Sequence, residues 1–279
     1  MKGLTKNDPF SIGLRIMVWG AAVLTVLSLL YLIGYIVWNG VPNLSLDFFS
    51  LTYNSENVSM MPSVVNTVIV MVMALLVSVP LGIFSAIYLV EYAKRGNKFV
   101  SAIRLTAETL SGIPSIVYGL FGMIFFVTYL KLGYSLVAGA LTVAIMVLPL
   151  ILRTTEEALM SVPDSFREGS FGLGAGKVRT VFKIVLPAAV PGILSGIILA
   201  IGRIVGETAA LIYTAGTVAN LPQSPLSSGR TLAIHMYELS REGLHTDKAY
   251  ATAFILLLVV LLINWCTAKL SKKVGAKNG

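Results

Sequence analysis

An all-α membrane protein with six transmembrane helices is the fold class this sequence predicts, and three observations predict it. The first is composition. Of the 279 residues, 56% are hydrophobic and only 12% charged, and the mean hydropathy is +0.83; a soluble domain is about a quarter charged. The second is length. Six apolar runs occur, each near the roughly 20 residues that cross a hydrocarbon core about 30 Å thick at about 1.5 Å per residue. The third is charge, because the Lys and Arg residues fall mainly in alternate loops.

The first run, Ile16 to Trp38, is too long for the apolar region of a signal peptide and is followed by no convincing small-residue cleavage site, so it is expected to be a retained span in a protein beginning near Met1. The segment Asn39 to Met61 carries Asp47 and Glu56 but no Lys or Arg, which suits the outside of a cell. The second run, Val64 to Val90, leads into a loop with Lys94, Arg95, Lys98 and Arg104. The third and fourth, Ile113 to Leu130 and Tyr134 to Leu152, are joined by a short turn containing Lys131. Ala188 to Tyr213 forms the fifth run and Ala251 to Ala268 the sixth, and the mixed-charge segment Thr217 to Lys248 between them is expected to carry a short helix near Leu232 to Arg241. Pro80, Pro114 and Pro149 interrupt the second, third and fourth runs, where kinks are expected.

Lys2, Lys6 and Arg15 precede the first span; five basic residues lie between Arg153 and Lys183; Lys269, Lys272, Lys273 and Lys277 follow the last span. Positive residues near spans stay inside, so both termini are expected to be cytoplasmic in a multi-pass protein of the cell (inner) membrane, with lipid around it. The net charge of +8 is then a matter of topology. No basic face interleaved with aromatic residues suggests nucleic acid. The single cysteine, Cys266, excludes an intrachain disulfide and is expected to be a small buried hydrophobe. His235 and His245 have no metal-site spacing. The chain reads as one membrane domain over 1–279, with no linker or internal repeat.

The longest inside loop, residues 153–187, reads as helix, turn, helix. Ser161-Val162-Pro163-Asp164 looks like a helix start, with a Ser cap, Pro in the first turn and an acid at the positive dipole end. Gly172, Gly174 and Gly176 permit a sharp turn. A rigid helix here can fit a groove on a separate motor and transmit its motion, whereas the alternative is an ordinary helical hairpin. The string Gly172 to Val178 is not a phosphate-binding loop: Phe171 and Val178 stand where such a loop needs Gly and Ser or Thr. With no other nucleotide site in view, the chain is not expected to hydrolyse ATP itself, and it is expected to hold no metal or cofactor.

Within the same loop, Glu168-Gly169-Ser170 is followed four residues later by Gly174 and ten residues after that by Ile184-Val185-Leu186-Pro187. This spacing resembles the cytoplasmic coupling motif of ABC importer permeases, with Gly169 and Ser170 in place of the usual two alanines. The resemblance implies a type I ABC importer permease fold whose cytoplasmic coupling helix meets a separate ATPase, which binds ATP and magnesium. It assigns Glu168 and Gly174 to shaping that contact, beside the helix start at Ser161 and Asp164.

Arg203 and Glu207 lie four residues apart in the fifth run and are expected on one helix face. A charge at a bilayer centre costs about 2.5–3.5 kcal/mol on insertion scales, so such residues face a bundle interior or an aqueous path. Arg203 suits an oxyanion, with Glu207 positioning it or competing with the anion; a plain structural ion pair is the other reading. Gly192, Gly196 and Ala200 form a small-residue ladder for helix packing, as do Gly202 and Gly206.

Three further segments, Ser111 to Gly122, Arg153-Thr154-Thr155-Glu156-Glu157 and Ala200 to Ala209, together with Glu242 to Ala253, are similar to phosphate importer permeases, the last looking like the second of that system's two permeases. The resemblance covers roughly Pro80 to Trp265. It implies a permease subunit of an ATP-driven phosphate importer: a heterodimer with a second phosphate permease, an ATPase dimer inside and a phosphate-binding protein outside. It places the functional charges on Arg153, Glu156 and Arg203; by position alone, Arg153 and Glu156 are equally a basic flank and a helix start. The alternatives are an importer of molybdate or sulfate with the same architecture, an ion-coupled secondary transporter using Glu207 or Glu108, and a membrane scaffold that passes no solute.

Overall fold

The computed structural model describes residues 9–94 and 96–275. Lys2, Lys6, Arg95 and Lys277, four of the basic residues used to orient the chain, lie outside the described residues. The described chain is helical, and five helices are long and apolar enough to cross a membrane, or six if a bent pair counts as one span.

Helix α1 (Pro9–Gly40) stands at the edge of the bundle, touching mainly α11 (Thr246–Gly275). Its side chains are almost all exposed, which its uniformly apolar sequence tolerates only against lipid or another apolar chain. Helix α2 (Met61–Ile87), extended by a π-helical turn at Tyr88–Tyr92, packs most extensively on α5 (Leu136–Met160). Gly82 makes this possible, since a Cβ there would lie 2.7 Å from Ile151. Helix α8 (Leu186–Val205) also packs on α5 and touches α2. It continues from α7 (Lys177–Thr180) through a π-helical turn at Val181–Val185. The core follows from these contacts: Val70, Val143, Val147, Ile151, Ile204 and Leu211 are buried together from four elements.

Three expectations change. The third run is only the second arm of a bent pair, because the basic loop before it carries a helix: α3 (Lys98–Ser111) is capped by Asn97, whose side chain accepts from Phe99 N, and it turns through 100° into α4 (Ser115–Gly122) and a π-helical stretch at Met123–Tyr129. Pro114 starts α4, because its ring removes a donor and disfavours helix in the preceding residue. Pro80 and Pro149 instead lie inside continuous helices. The fifth run stops at Val205, and α9 (Ala209–Ile212) follows after a break. Cys266 is exposed on α11, not buried.

The 41–60 segment folds back over α10 (Leu232–Glu242), with Phe48, Met60, Leu232 and Ala251 buried together. This cap closes the end of the bundle opposite α6 (Asp164–Gly172). The short helix expected near Leu232 is thus present and packed.

Candidate functional site

Most of the chemistry-bearing residues gather at the other end, where α2, α3, α5, α6 and α7 meet, whereas Arg203 and Glu207 lie at and beyond the far end of α8. Asp164 occupies the first turn of α6, and Gly174, at φ +81°, ends the helix in the left-handed region that favours glycine. Gly174 N donates to Phe171 O at 2.9 Å and Ala175 N to Ser170 O at 3.1 Å, so the carbonyls of the last turn are satisfied. The hydroxyls of Ser170 and Thr180 meet at 2.8 Å, fastening α6 to α7. Glu168 is exposed, as are Phe166, Phe171 and Leu173, the last at 91%. Phe166 and Leu173 border a hollow of about 610 Å³, lined also by Ser165, Gly169, Gly174 and Arg179.

Ser161 does not cap α6. It closes α5, its N–H donating to Glu157 O at 3.0 Å and its hydroxyl to Ala158 O at 2.8 Å. Pro163 sets the boundary: its ring holds the chain extended just before Asp164, leaving Ser161 too early to reach the first N–H groups of α6.

The side chain that seats α6 is Arg167. Its Nη2 lies 2.7 Å from Glu91 Oε1 and donates to Leu159 O at 2.9 Å; its Nη1 donates to Val162 O at 2.8 Å and to Asp164 Oδ1 at 3.2 Å. Glu91 comes from the π-helical turn after α2, so one guanidinium ties α6 to the ends of both α2 and α5. The carboxylate and the guanidinium are largely buried, where charge-assisted bonds are strong. Lys177 Nζ lies 5.0 Å over the Tyr92 ring and adds a second tie. Sequence reasoning missed the Glu91–Arg167 pair. The available signal was a lone acid ending an apolar run.

Glu156 is buried, and its partner is Arg104 of α3, at 2.7 Å, not Arg153. Arg153 pairs with Glu157 one turn along the exposed face of α5, at 3.1 Å. All four border a groove between α3 and α5 of about 260 Å³, together with Glu108 and Ser111.

Arg203 and Glu207 do not share a helix face. Arg203 is half-buried in the last turn of α8, within electrostatic range of the Tyr118 hydroxyl, which donates to Leu110 O at 2.8 Å. Glu207 is buried in the break, and its Oε1 accepts from Ala210 N at 3.0 Å, capping α9. Among the described residues no ion pair joins them. The physical reason is local: a carboxylate that can satisfy the first N–H groups of a new helix stabilises the break at Gly206 over continued α-helix.

Gly192 and Gly196 face α5: a Cβ at Gly192 would lie 2.7 Å from Ala158 Cβ, and one at Gly196 would overlap Thr154 Oγ1. Ala200 is buried in the same seam. Gly202 faces open space, so the second ladder meets no helix within this chain.

Residues 78–276 match the family described as binding-protein-dependent transport system inner membrane component. A probable ABC transporter permease protein of Bacillus subtilis (strain 168), YqgI, is 34% identical over 280 residues, 92% of this chain and 94% of the relative. The phosphate transport system permease protein PstA of Yersinia pestis is 31% identical over 265 residues, covering 88% and 86%. Among solved structures, a chain of a bacterial alginate ABC transporter in complex with an alginate-bound periplasmic protein superposes with a TM-score of 0.70 over 98% of both chains at 15% identity. A chain of the MetNI methionine ABC transporter, in inward-facing conformations, superposes at 0.60 over 77% of this chain and 94% of its own, at 18% identity. The fold is that of type I ABC importer permeases.

Proposed function

The chain belongs to the family of binding-protein-dependent transport system inner membrane components, and from that premise we propose that it is the permease subunit of an ATP-driven phosphate importer. The observation that supports it most is α6, a rigid projecting helix with Glu168 and three large apolar side chains exposed, seated by Arg167 on the ends of α2 and α5. In this reading α6 fits a groove on an ATPase subunit that binds ATP and magnesium, and closure of the ATPase pair moves α2 and α5 through the Arg167–Glu91 tie. Alternating access then exposes the path first to one side and then to the other. Both termini and α6 face the cytoplasm, consistent with the basic residues around α3, α6 and α7. A second phosphate permease completes the path, and an extracytoplasmic phosphate-binding protein supplies affinity and selection.

The likeness to PstA supports phosphate as the solute. Within the chain, Arg203 offers a planar fork of donors to an oxyanion, and Glu207, engaged in capping α9, leaves that fork free of an internal carboxylate. Labelled phosphate uptake at low external phosphate tests the reading, in cells lacking the chain and in cells supplied with it or with Glu168→Arg. Restoration by the original chain alone, with the variant present in the membrane, is the expected result. Uptake that does not depend on the chain overturns it, and competition by molybdate or sulfate in place of phosphate moves the assignment to another oxyanion.

A further inference from the structure

Buried polar groups without partners are concentrated at the end of the bundle opposite α6. There the first turn of α10 lies against the first turns of α2, beneath the 41–60 segment. Leu232 N donates to Thr67 Oγ1 at 2.8 Å, and Asn66 Nδ2 donates to the Arg230 carbonyl at 3.1 Å. The Arg230 guanidinium lies 4.7 Å from the centre of the Tyr53 ring, whose edge meets the His235 ring with centroids 6.3 Å apart. Ser63, Asn66 and His235 are fully buried, and Thr231 and Arg230 are only 1% and 5% exposed.

Among the described residues, Arg230 Nε and Nη2, the hydroxyls of Ser63 and Thr231, and Asn66 Oδ1 have no hydrogen-bond partner here. The two ring nitrogens of His235 share that condition, with the Val58 backbone close by but outside good hydrogen-bond geometry. An orphaned buried group costs about 1–3 kcal/mol, and more when charged. A cation–π contact returns about 2 kcal/mol or more when desolvated, but the ring face of Tyr53 accepts no hydrogen bond from Arg230 Nε or Nη2. The pattern of orphans is informative. Nε and Nη2 form one edge of the guanidinium, the edge that grips two oxygens of an oxyanion side-on. Thr231 precedes the first residue of the 11-residue α10, at its positive end, yet its hydroxyl makes no capping bond. Asn66 Oδ1, in contrast, needs a donor.

We propose that this node binds a small oxyanion that carries its own proton, with phosphate the preferred ligand. Arg230 Nε and Nη2 and the Thr231 and Ser63 hydroxyls donate to the anion, and Asn66 Oδ1 accepts the anion's hydroxyl proton. Sulfate fits the donors but offers Asn66 nothing. The bound anion locks the 41–60 segment onto α10 and is not the solute in transit. The node is built from α2, α10 and their cover, whereas Arg203 ends α8. The inference rests on the orphaned donors and not on the identity of the transported solute.

The test uses the purified full-length chain in detergent, in chloride buffer, with inorganic phosphate or inorganic sulfate added. Thermal unfolding and equilibrium dialysis with labelled phosphate are the two readouts. The expected result is about one phosphate bound per chain and an unfolding midpoint raised by several degrees, as ligand linkage requires. Sulfate should bind about tenfold more weakly, the equivalent of one lost hydrogen bond. Arg230→Gln should abolish both effects, and Thr231→Val should weaken binding about tenfold. No phosphate-dependent rise and no bound label in the unaltered chain would overturn the proposal, as would undiminished binding by Arg230→Gln. Should Arg230→Gln not fold, Thr231→Val and Ser63→Ala decide the matter. Cellular uptake is a separate readout, so failure of the transport reading is distinguishable from failure of this one.

Discussion

At the scale of single residues, burial decides what each charged or titratable group does. His235 lies between Phe48 and Tyr53 with no exposure, and burial, aided by the charge of Arg230, pushes its pKa from the usual 6.5 down to about 3. The folded chain therefore keeps His235 neutral as pH falls below 6.5, while the unfolded chain takes up a proton there. Stability should drop between about pH 6.5 and pH 3, by up to about 1.4 kcal/mol per pH unit. His235→Gln removes this contribution, so the fall in unfolding midpoint between pH 7 and pH 5 should be smaller in the variant than in the original chain. Arg203 is different: it is half-buried in the last turn of α8, and the proposed role sets it beside the passing anion. Arg203→Ala should lower phosphate uptake severalfold while the chain still assembles with its partners, and normal uptake would remove it from the path.

Among the elements, the seat of α6 is the decisive feature. Arg167 bonds to α2, α5 and α6 at once, and its loss leaves Glu91 buried without a partner. Arg167→Ala should destabilise the seat by about 2–3 kcal/mol. The expected phenotype is ATP hydrolysis that continues in the assembled complex while uptake falls, and Glu91→Gln should share it more mildly. Gly174→Val places a branched side chain at φ +81°, which costs about 1–2 kcal/mol and should uncouple in the same assay. Coupled transport undiminished in both Arg167→Ala and Gly174→Val would remove the loop from the coupling role. Between α5 and α8 the limit is steric: Gly196→Leu has no room beside Thr154, and its thermal midpoint should fall by more than that of Gly202→Leu, which faces open space.

For the whole molecule, most of the surface of α1, and much of α4 and α11, is apolar and exposed in the single chain. Surfaces of that kind require lipid or another apolar chain. Cysteines introduced near Lys177 on α7 and near Leu226 before α10, each in a Cys266→Ala background, should label from opposite sides of intact cells if the proposed orientation holds. Labelling of both from the same side would overturn it. Uptake in reconstituted vesicles should require the ATPase and the second permease; uptake by this chain alone, driven by an ion gradient, would favour a secondary transporter.

Hydropathy by itself determined that the chain is an apolar helical bundle, because an apolar run of bilayer length has few alternatives to a helix; which runs are continuous it did not, since five helices among the described residues are long enough to cross, or six if the bent pair counts as one. The spacing from Glu168 to Pro187 by itself located the projecting loop, since the turn needs a glycine at position 174. The sequence also singled out Arg203 and Glu207 as charges in an apolar run, but not their relation to each other. Only the tertiary structure decided that Glu207 caps a new helix, that Glu156 belongs to Arg104, and that Glu91 meets Arg167 across 76 residues of chain. The reason is physical. Periodicity reports which local conformation buries apolar surface, whereas the partner of a buried charge is set by which helix ends the packing brings within 3 Å or so of each other, and local sequence spacing carries no trace of that distance.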